Sequence, residues 1–477
     1  GIPLVNQNVG ILIDQEYSMA SDFRETLYTV DKTGKRRWLY PTLVKGSFYY
    51  PRFIVAVSLI LFYICMPWVE IAGKQGIRLD IIQRKFTFFG TTFWATDTLL
   101  LVFVLAALAF SLFLFTALFG RVWCGWACPE TVFLEFLFRP IERLIEGSAA
   151  QRSRLDKQPW NANKIFKKLL KHGLCAFFAW VLATSFVAYF VGADLLIDMM
   201  TDWPHKNPVP FALTVIFMCL FGFQFGWFRE QFCTVLCPYA RFQSVMLDPN
   251  SLVVAYDSSR GEPRGKVRRG TEVDSRGDCV DCRLCVRVCP TGIDIRNGLQ
   301  LECVSCAQCV DACDSIMTKV GRATGLIRYD TEARMEGRQT HFMRPRTIIY
   351  SLMLLAILSG LVYSVRTRPL SDFQVLRGAL DAPYKLLADG RVSNHMHIRI
   401  ANKAEVMQRY TVAIESTGQG TGETVEVVTP IAPYPVEAGQ IATMLVFFNF
   451  SSDALQKGKL KATVTLQSDK NYKGKSM

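Results

Sequence analysis

A chain that crosses hydrocarbon has almost no choice of backbone, because every peptide N–H and C=O there must be paired within the protein. This sequence holds five apolar stretches long enough to cross, over about 53–72, 97–119, 170–192, 209–228 and 346–365. Each is close to the roughly 20 residues a helix needs to span about 30 Å of hydrocarbon, so five transmembrane helices are expected. The composition agrees: half of the 477 residues are hydrophobic, high for a soluble protein and natural for a membrane protein carrying soluble parts. The first stretch lies too far from the start of the chain and lacks the small-residue cleavage site of a removable signal.

Lys and Arg in the flanking segments orient the spans. Seven lie ahead of the first (Arg24, Lys32, Lys35, Arg36, Arg37, Lys45 and Arg52) and ten between 120 and 171, whereas "ADLLIDMMTDWPHKNP" holds only Lys206 against three Asp. The basic segments are therefore expected in the cytoplasm. The loop over 73–96 carries four basic residues and argues weakly the other way, but alternation along five spans puts it outside. The expected order is a cytoplasmic segment over 1–52, four helices over 53–230 with a cytoplasmic loop at 120–169, a cytoplasmic domain over 231–345, a fifth helix at 346–366 and a periplasmic domain over 367–477. The net charge of +13 follows from topology and anionic inner-leaflet lipid, so membrane lipid is an expected partner and nucleic acid is not.

The domain over 231–345 has a cysteine pattern of its own. "CVDCRLCVRVCP" and "CVSCAQCVDACD" place eight of the fifteen cysteines in residues 279–313. Cys279, Cys282, Cys285, Cys289 and Pro290 form C-x2-C-x2-C-x3-C-P, and Cys303, Cys306, Cys309 and Cys313 repeat the spacing with Asp314 in place of proline. This is the bacterial ferredoxin run, in which three close thiolates hold one 4Fe–4S cluster and the fourth ligand comes from the other run. It predicts a first cluster on Cys279, Cys282, Cys285 and Cys313 and a second on Cys303, Cys306, Cys309 and Cys289. Zinc is the weaker reading, because no histidine lies between 206 and 340 to complete such a site. A disulfide framework would suit a small secreted domain, not thiols expected in a reducing compartment.

A second pattern sits at the membrane. "FGRVWCGWACPE" and "FGWFREQFCTVLCPYA" follow spans two and four, and each carries C-x3-C-P: Cys124, Cys128, Pro129 and Cys233, Cys237, Pro238. The match reads as an internal repeat. Four-residue spacing predicts both sulfurs of a pair on one face of a helix, one turn apart, where two thiols can hold a soft ion. Packing is the alternative, since free Cys is among the most buried residue types; Cys65, Cys175 and Cys219, isolated within apolar spans, are read that way. After the fifth span the period changes to short alternating runs such as "NHMHIRIANK" and "IATMLVFFNF", which predict an all-β antiparallel sandwich without an inter-sheet disulfide. His395 and His397 share one face of their strand, an arrangement more often surface than metal site.

With "YTVDKTGKRRWLYP", "FTFFGTTFW", "GRVWCGWACPETVFLEF", "FCTVLCPYARFQS", "YDSSRGEPRG" and the double ferredoxin run in this order, the chain resembles the FixG/CcoG family of accessory proteins for cbb-type cytochrome c oxidase. The likeness runs from about residue 28 to the end. It implies a multi-pass protein of the bacterial cytoplasmic membrane with an immunoglobulin-like tail, reducing Cu(II) to Cu(I) for the oxidase copper site. Cys124, Cys128, Cys233 and Cys237 would then be the copper acceptors and two 4Fe–4S clusters the cofactors. Oxidase assembly factors and copper transporters or chaperones would be partners. The family shares its layout with quinol-oxidising membrane subunits, so a quinol-linked electron carrier is a rival function; an assembly scaffold or redox sensor without electron flow is another. The sequence names no electron donor, since no G-x-G-x-x-G opens a βαβ unit, and it leaves the oligomer, a homodimer included, open.

Overall fold

The computed structural model describes residues 29–30, 35–82, 85–94, 98–202, 206, 208–266, 277–341, 343–367, 369–377, 384–404, 406–416, 425–452, 462–469 and 473–476. Residues 1–28, with Arg24, and part of the basic run at 260–270 lie outside these. The chain divides into two compact units, one of Gly1–Phe93 and Val102–Leu358, the other of Trp94–Leu101 and Ser359–Met477.

Five helices are long and apolar enough to cross a membrane: Tyr49–Trp68, Leu99–Phe119, Ala162–Val191, Pro208–Phe228 and Pro345–Arg366. Two depart from the expected bounds. The first begins four residues early and gives way to a 3-10 turn at Met66–Trp68, after which Glu70–Ile71 pairs with Lys74–Gln75 as a short hairpin. The third begins eight residues early because the Asn161 side chain accepts from Lys164 N at 2.8 Å, a helix N-cap that hydropathy does not register. The loop expected outside is a small β structure, in which Ile77–Asp80, Lys85–Phe88 and Thr91–Trp94 form a three-stranded sheet. Cys175 packs among the helices as expected, but Cys65 and Cys219 are exposed; on a span that touches lipid, an outward thiol needs no partner.

Between spans four and five the chain builds a ferredoxin-like domain. Strands Leu252–Tyr256 and Ile327–Thr331 pair antiparallel, Leu252 opposite Thr331 and Tyr256 opposite Ile327, and enclose the two cysteine runs. Val254, Ile293, Ile295, Ala307, Val310 and Ile327 form its core. The domain is packed onto the membrane-end segments at several points. Asp311 accepts from Phe48 N at 3.0 Å and Tyr49 N at 2.9 Å, so a ferredoxin carboxylate caps the N-terminus of the first span. A Cβ on Gly46 would lie 2.5 Å from that carboxylate's Cγ, which leaves glycine as the residue that fits.

The second unit contains the β sandwich. One sheet runs Glu426–Val428, Ile441–Phe450, Val392–Asn402, Ser371–Arg377, with Tyr384–Leu386 also on Val392–Asn402; the other runs Tyr434–Val436, Gln408–Ser416, Ala462–Ser468, Lys473–Ser476. Phe373, Ile398, Ile400, Tyr410, Met444, Val446, Phe448 and Leu466 fill the space between. Strand alternation puts Met396, Ile398 and Ile400 inward and His395 and His397 on the opposite face; among the described residues no third His, Cys, Asp or Glu joins them as a metal site.

Candidate iron–sulfur and membrane-end thiol site

The two ferredoxin runs adopt the same unusual backbone. Asp281 and Arg283 in the first, and Ser305 and Ala307 in the second, have φ between 49° and 56°, a left-handed conformation that non-glycine residues rarely take. These are equivalent positions, 24 residues apart. Alternating handedness turns successive N–H groups toward one concavity, the nest geometry that receives anions and iron–sulfur clusters; Ser305 N lies 3.4 Å from Cys303 Sγ. Strain that recurs at matched positions is the mark of a shared ligand.

Of the fourth cysteines, Cys289, from the first run, lines one small cavity with Cys303, Cys306 and Cys309, and with Cys285 of its own run. Cys313, from the second, packs with Cys279. Burial pushes Cys285 and Cys313 up to about 12 and Cys309 well above an ordinary thiol, and neighbouring thiolates push in the same direction. Eight thiols at ferredoxin spacing around two matched nests are a donor set that two 4Fe–4S clusters fit. Cys289→Ser is accordingly expected to damage the cluster held by Cys303, Cys306 and Cys309 more than that held by Cys279, Cys282 and Cys285. Mössbauer or EPR spectra of the variant, showing loss of the other cluster alone, would defeat the crossed assignment.

At the membrane end the structure corrects the expected helix face. Cys124 lies in the short helix Val122–Trp126, but Cys128 is extended, with φ −62° and ψ 126°, and precedes the helix Pro129–Phe133. The second copy does the same: Cys233 is in Phe232–Leu236, and Cys237, with φ −65° and ψ 111°, precedes Pro238–Met246. The cause is the proline, whose ring disfavours helical geometry in the residue before it while suiting the first position of the next helix. In both copies the second cysteine donates N–H to the carbonyl five residues back, Cys128 to Trp123 at 2.9 Å and Cys237 to Phe232 at 2.8 Å. The repeat is thus structural, and it is a helix break.

Cys233 is pushed well above the usual thiol range by burial, then by Glu130, Cys128, Cys124 and Cys237. Cys124 Sγ donates to Gln243 Oε1 at 3.1 Å, and burial takes it up to about 12, opposed by the Arg121 guanidinium. Among the described residues, however, no three His, Cys, Asp or Glu side chains are disposed to hold a single metal ion.

The thiol pairs and the second ferredoxin run share an interface. A Cβ on Gly125 would sit 2.6 Å from Val304 O and 2.7 Å from Cys306 Cα, so backbone lies directly on backbone between Cys124 and Cys128. Cys124, Val304 and Cys306 are buried together, with Cys233 and Tyr239 against them. Trp126 Nε1 donates to Tyr329 Oη at 3.0 Å, and Tyr329 donates in turn to Ser305 O.

Sequence reading missed the charges that support this interface. Arg139, wholly buried, donates to Glu135, to Glu230 Oε2 at 3.1 Å and to Pro290 O at 3.3 Å, which ties the membrane-end helices to the residue after Cys289. Glu230 also pairs with Arg36 at 3.1 Å, and Glu142 bridges Arg229 at 2.8 Å and Arg152 at 3.0 Å. Burial pushes the Glu130 carboxyl, beside the thiols, up to about 8, opposed by the hydrogen bond it accepts from Gln224 Nε2 at 2.9 Å. No short motif marks the long-range partners, Arg139 with Glu230 and Pro290, Arg36 with Glu230 and Arg229 with Glu142, which lie 87 or more positions apart.

Fold and cysteine geometry together define a multi-pass membrane iron–sulfur protein of the electron-transfer type. Residues 228–332 match the 4Fe-4S dicluster domain, 96–147 a 4Fe-4S binding domain and 361–476 the IG-like fold at the C-terminus of FixG. The nitrogen fixation protein FixG of Rhizobium meliloti is 32% identical over 90% of this chain and 90% of its own. Protein RdxB of Cereibacter sphaeroides is 38% identical over 80% of this chain and 83% of its own. A crystal structure of a FixG-related protein from Vibrio parahaemolyticus covers 22% of this chain and 93% of its own at 16% identity and TM-score 0.18. The chain belongs to the FixG family.

Proposed function

We propose that this protein is a cupric reductase of the bacterial cytoplasmic membrane, supplying Cu(I) for the copper site of cbb-type cytochrome c oxidase. The observation that carries the reading is the Gly125–Cys306 contact, which sets a soft-ligand pair against the second ferredoxin run. Cu(II) becomes Cu(I) by gaining one electron, and 4Fe–4S clusters, when bound, supply electrons singly. Cys124, Cys128, Cys233 and Cys237 favour the product, because thiolates select Cu(I) over harder ions. Cu(I) added anaerobically should stay with the wild-type protein through desalting and be lost from Cys124→Ala/Cys128→Ala at matched iron content; equal retention would remove the thiols from the reading. Copper transporters or chaperones and oxidase assembly factors are the proposed partners.

A second reading has its own support. The match to a 4Fe-4S binding domain over 96–147 contains Cys124 and Cys128 and neither ferredoxin run, which favours a further iron–sulfur site on the four membrane-end thiols. Iron analysis separates the two: about eight iron atoms per chain for two four-iron clusters, about twelve if the thiols hold a third.

For sidedness, the Lys and Arg balance places the ferredoxin-like domain in the cytoplasm and the β domain in the periplasm. A reporter active only in the periplasm, fused after Met477, should be active. An inactive one there, beside an active cytoplasmic reporter, would reverse the orientation.

A further inference from the structure

Arg52 stands in the first turn of the first span and is wholly buried. Its Nε donates to Gly125 O at 3.0 Å, while Nη1 and Nη2 have no hydrogen-bond partner. A buried guanidinium with both ends unpaired costs several kcal/mol unless something anionic completes it. Among the described residues no carboxylate does so: Asp311, whose charge Arg52 does influence, accepts from Phe48 N at Oδ1 and Tyr49 N at Oδ2 and forms no ion pair with it. The Phe136 ring, 5.4 Å from the guanidinium carbon, supplies an aromatic face.

The position of those free ends is informative. Arg52 grips the carbonyl of Gly125, the residue at which an added Cβ would collide with Val304 O and Cys306 Cα. The guanidinium thus binds the residue that packs against the second run. A second buried cation, Arg121, is anchored on Leu301 O and Gln243 Oε1 on the same side. Beside the first run, Arg296 pairs with Asp281 and Asp294, both at 2.6 Å, and Arg260 with Asp278 at 2.5 Å. Among the described residues, the buried arginines Arg52 and Arg121 beside the second run have no ion-pair partner.

We propose that Nη1 and Nη2 of Arg52 donate to the 4Fe–4S cluster held by Cys303, Cys306 and Cys309, and set its reduction potential above that of the cluster on the first run. A hydrogen-bonded cation stabilises the more negative, reduced state of a cluster, and hydrogen bonds to sulfur are among the determinants of cluster potential. The more readily reduced cluster is then the one against Cys124. This rests on the two-cluster reading but on no role for copper.

The test is an EPR-monitored redox titration of the full-length, iron-loaded protein in detergent, with Arg52→Gln and Arg52→Lys. Arg52→Gln should lower the potential of one cluster so that its reduced-to-oxidised ratio at fixed ambient potential falls at least tenfold, about 59 mV for a one-electron couple. The other cluster should stay in place, and Arg52→Lys should retain most of the wild-type value. A purely structural Arg52 would instead reduce cluster content or move both potentials together, and either no shift or a common shift overturns the proposal. The signal that moves should be the one removed by Cys289→Ser; if it moves yet survives that substitution, the crossed ligation is wrong and the Arg52 contact stands. Where a variant fails to load, wild-type protein labelled with 15N-arginine decides: pulsed EPR of the reduced protein should show a guanidinium nitrogen coupled to a cluster, and its absence overturns the proposal.

Discussion

Arg139→Met is expected to destabilise the protein by about 3–5 kcal/mol, the cost of breaking a buried ion pair from one side. Glu135 loses the cation it accepts from, Glu230 keeps Arg36 and Arg229, and Pro290 O loses its donor. The injury is therefore local. Because Pro290 follows Cys289, the cluster on Cys303, Cys306 and Cys309 should be lost at lower denaturant concentration than the other. Adding Glu135→Gln removes the stranded charge and should recover part of the loss, which a general packing defect would not allow. Denaturant unfolding in detergent, followed at the cluster absorbance and by protein fluorescence, measures both effects.

Gly125→Val is expected to separate the membrane-end thiols from the second ferredoxin run. Any Cβ there falls within 2.9 Å of three backbone atoms of Val304 and Cys306, and backbone cannot rotate aside as a flexible side chain can. The interface opens, at a cost of about 1–3 kcal/mol typical of overpacking. Both ferredoxin runs and both thiol pairs remain chemically intact, so iron content and thiol count should hold. Cu(II) reduction per intact cluster should fall at least tenfold, equivalent to about 1.4 kcal/mol of barrier. A rate equal to wild type, with the domain shown to be undocked by cross-linking, would mean the contact does not serve the reaction.

What could be read in the sequence was what repeats or runs continuously. The five apolar stretches and the alternating strands each carry their period along many residues, and the ferredoxin spacing is dense enough to predict its ligands. The membrane-end pairs were visible as a repeat, but helical spacing suggested one face where Pro129 and Pro238 impose a break; the rule for residues before proline was the stronger local signal. Long-range charge was the least legible. Arg52, Arg121, Arg139 and Arg152 count as topology signals in sequence, yet all four are buried and bind carbonyls or acids from distant segments. The caps by Asn161 and Asp311 show both cases: the first is local and could have been anticipated, the second crosses 262 positions from Asp311 to Tyr49.

The most direct test of the account is single-turnover reduction. Protein reduced with dithionite and desalted is mixed anaerobically with Cu(II), and cluster absorbance and Cu(I) formation are followed together. The account predicts that clusters reoxidise as Cu(I) appears, one electron per copper. Cys124→Ala/Cys128→Ala and Cys233→Ala/Cys237→Ala should each keep the cluster spectra while reduction per cluster falls. Unchanged rates in both double variants, at matched protein and iron, would contradict it.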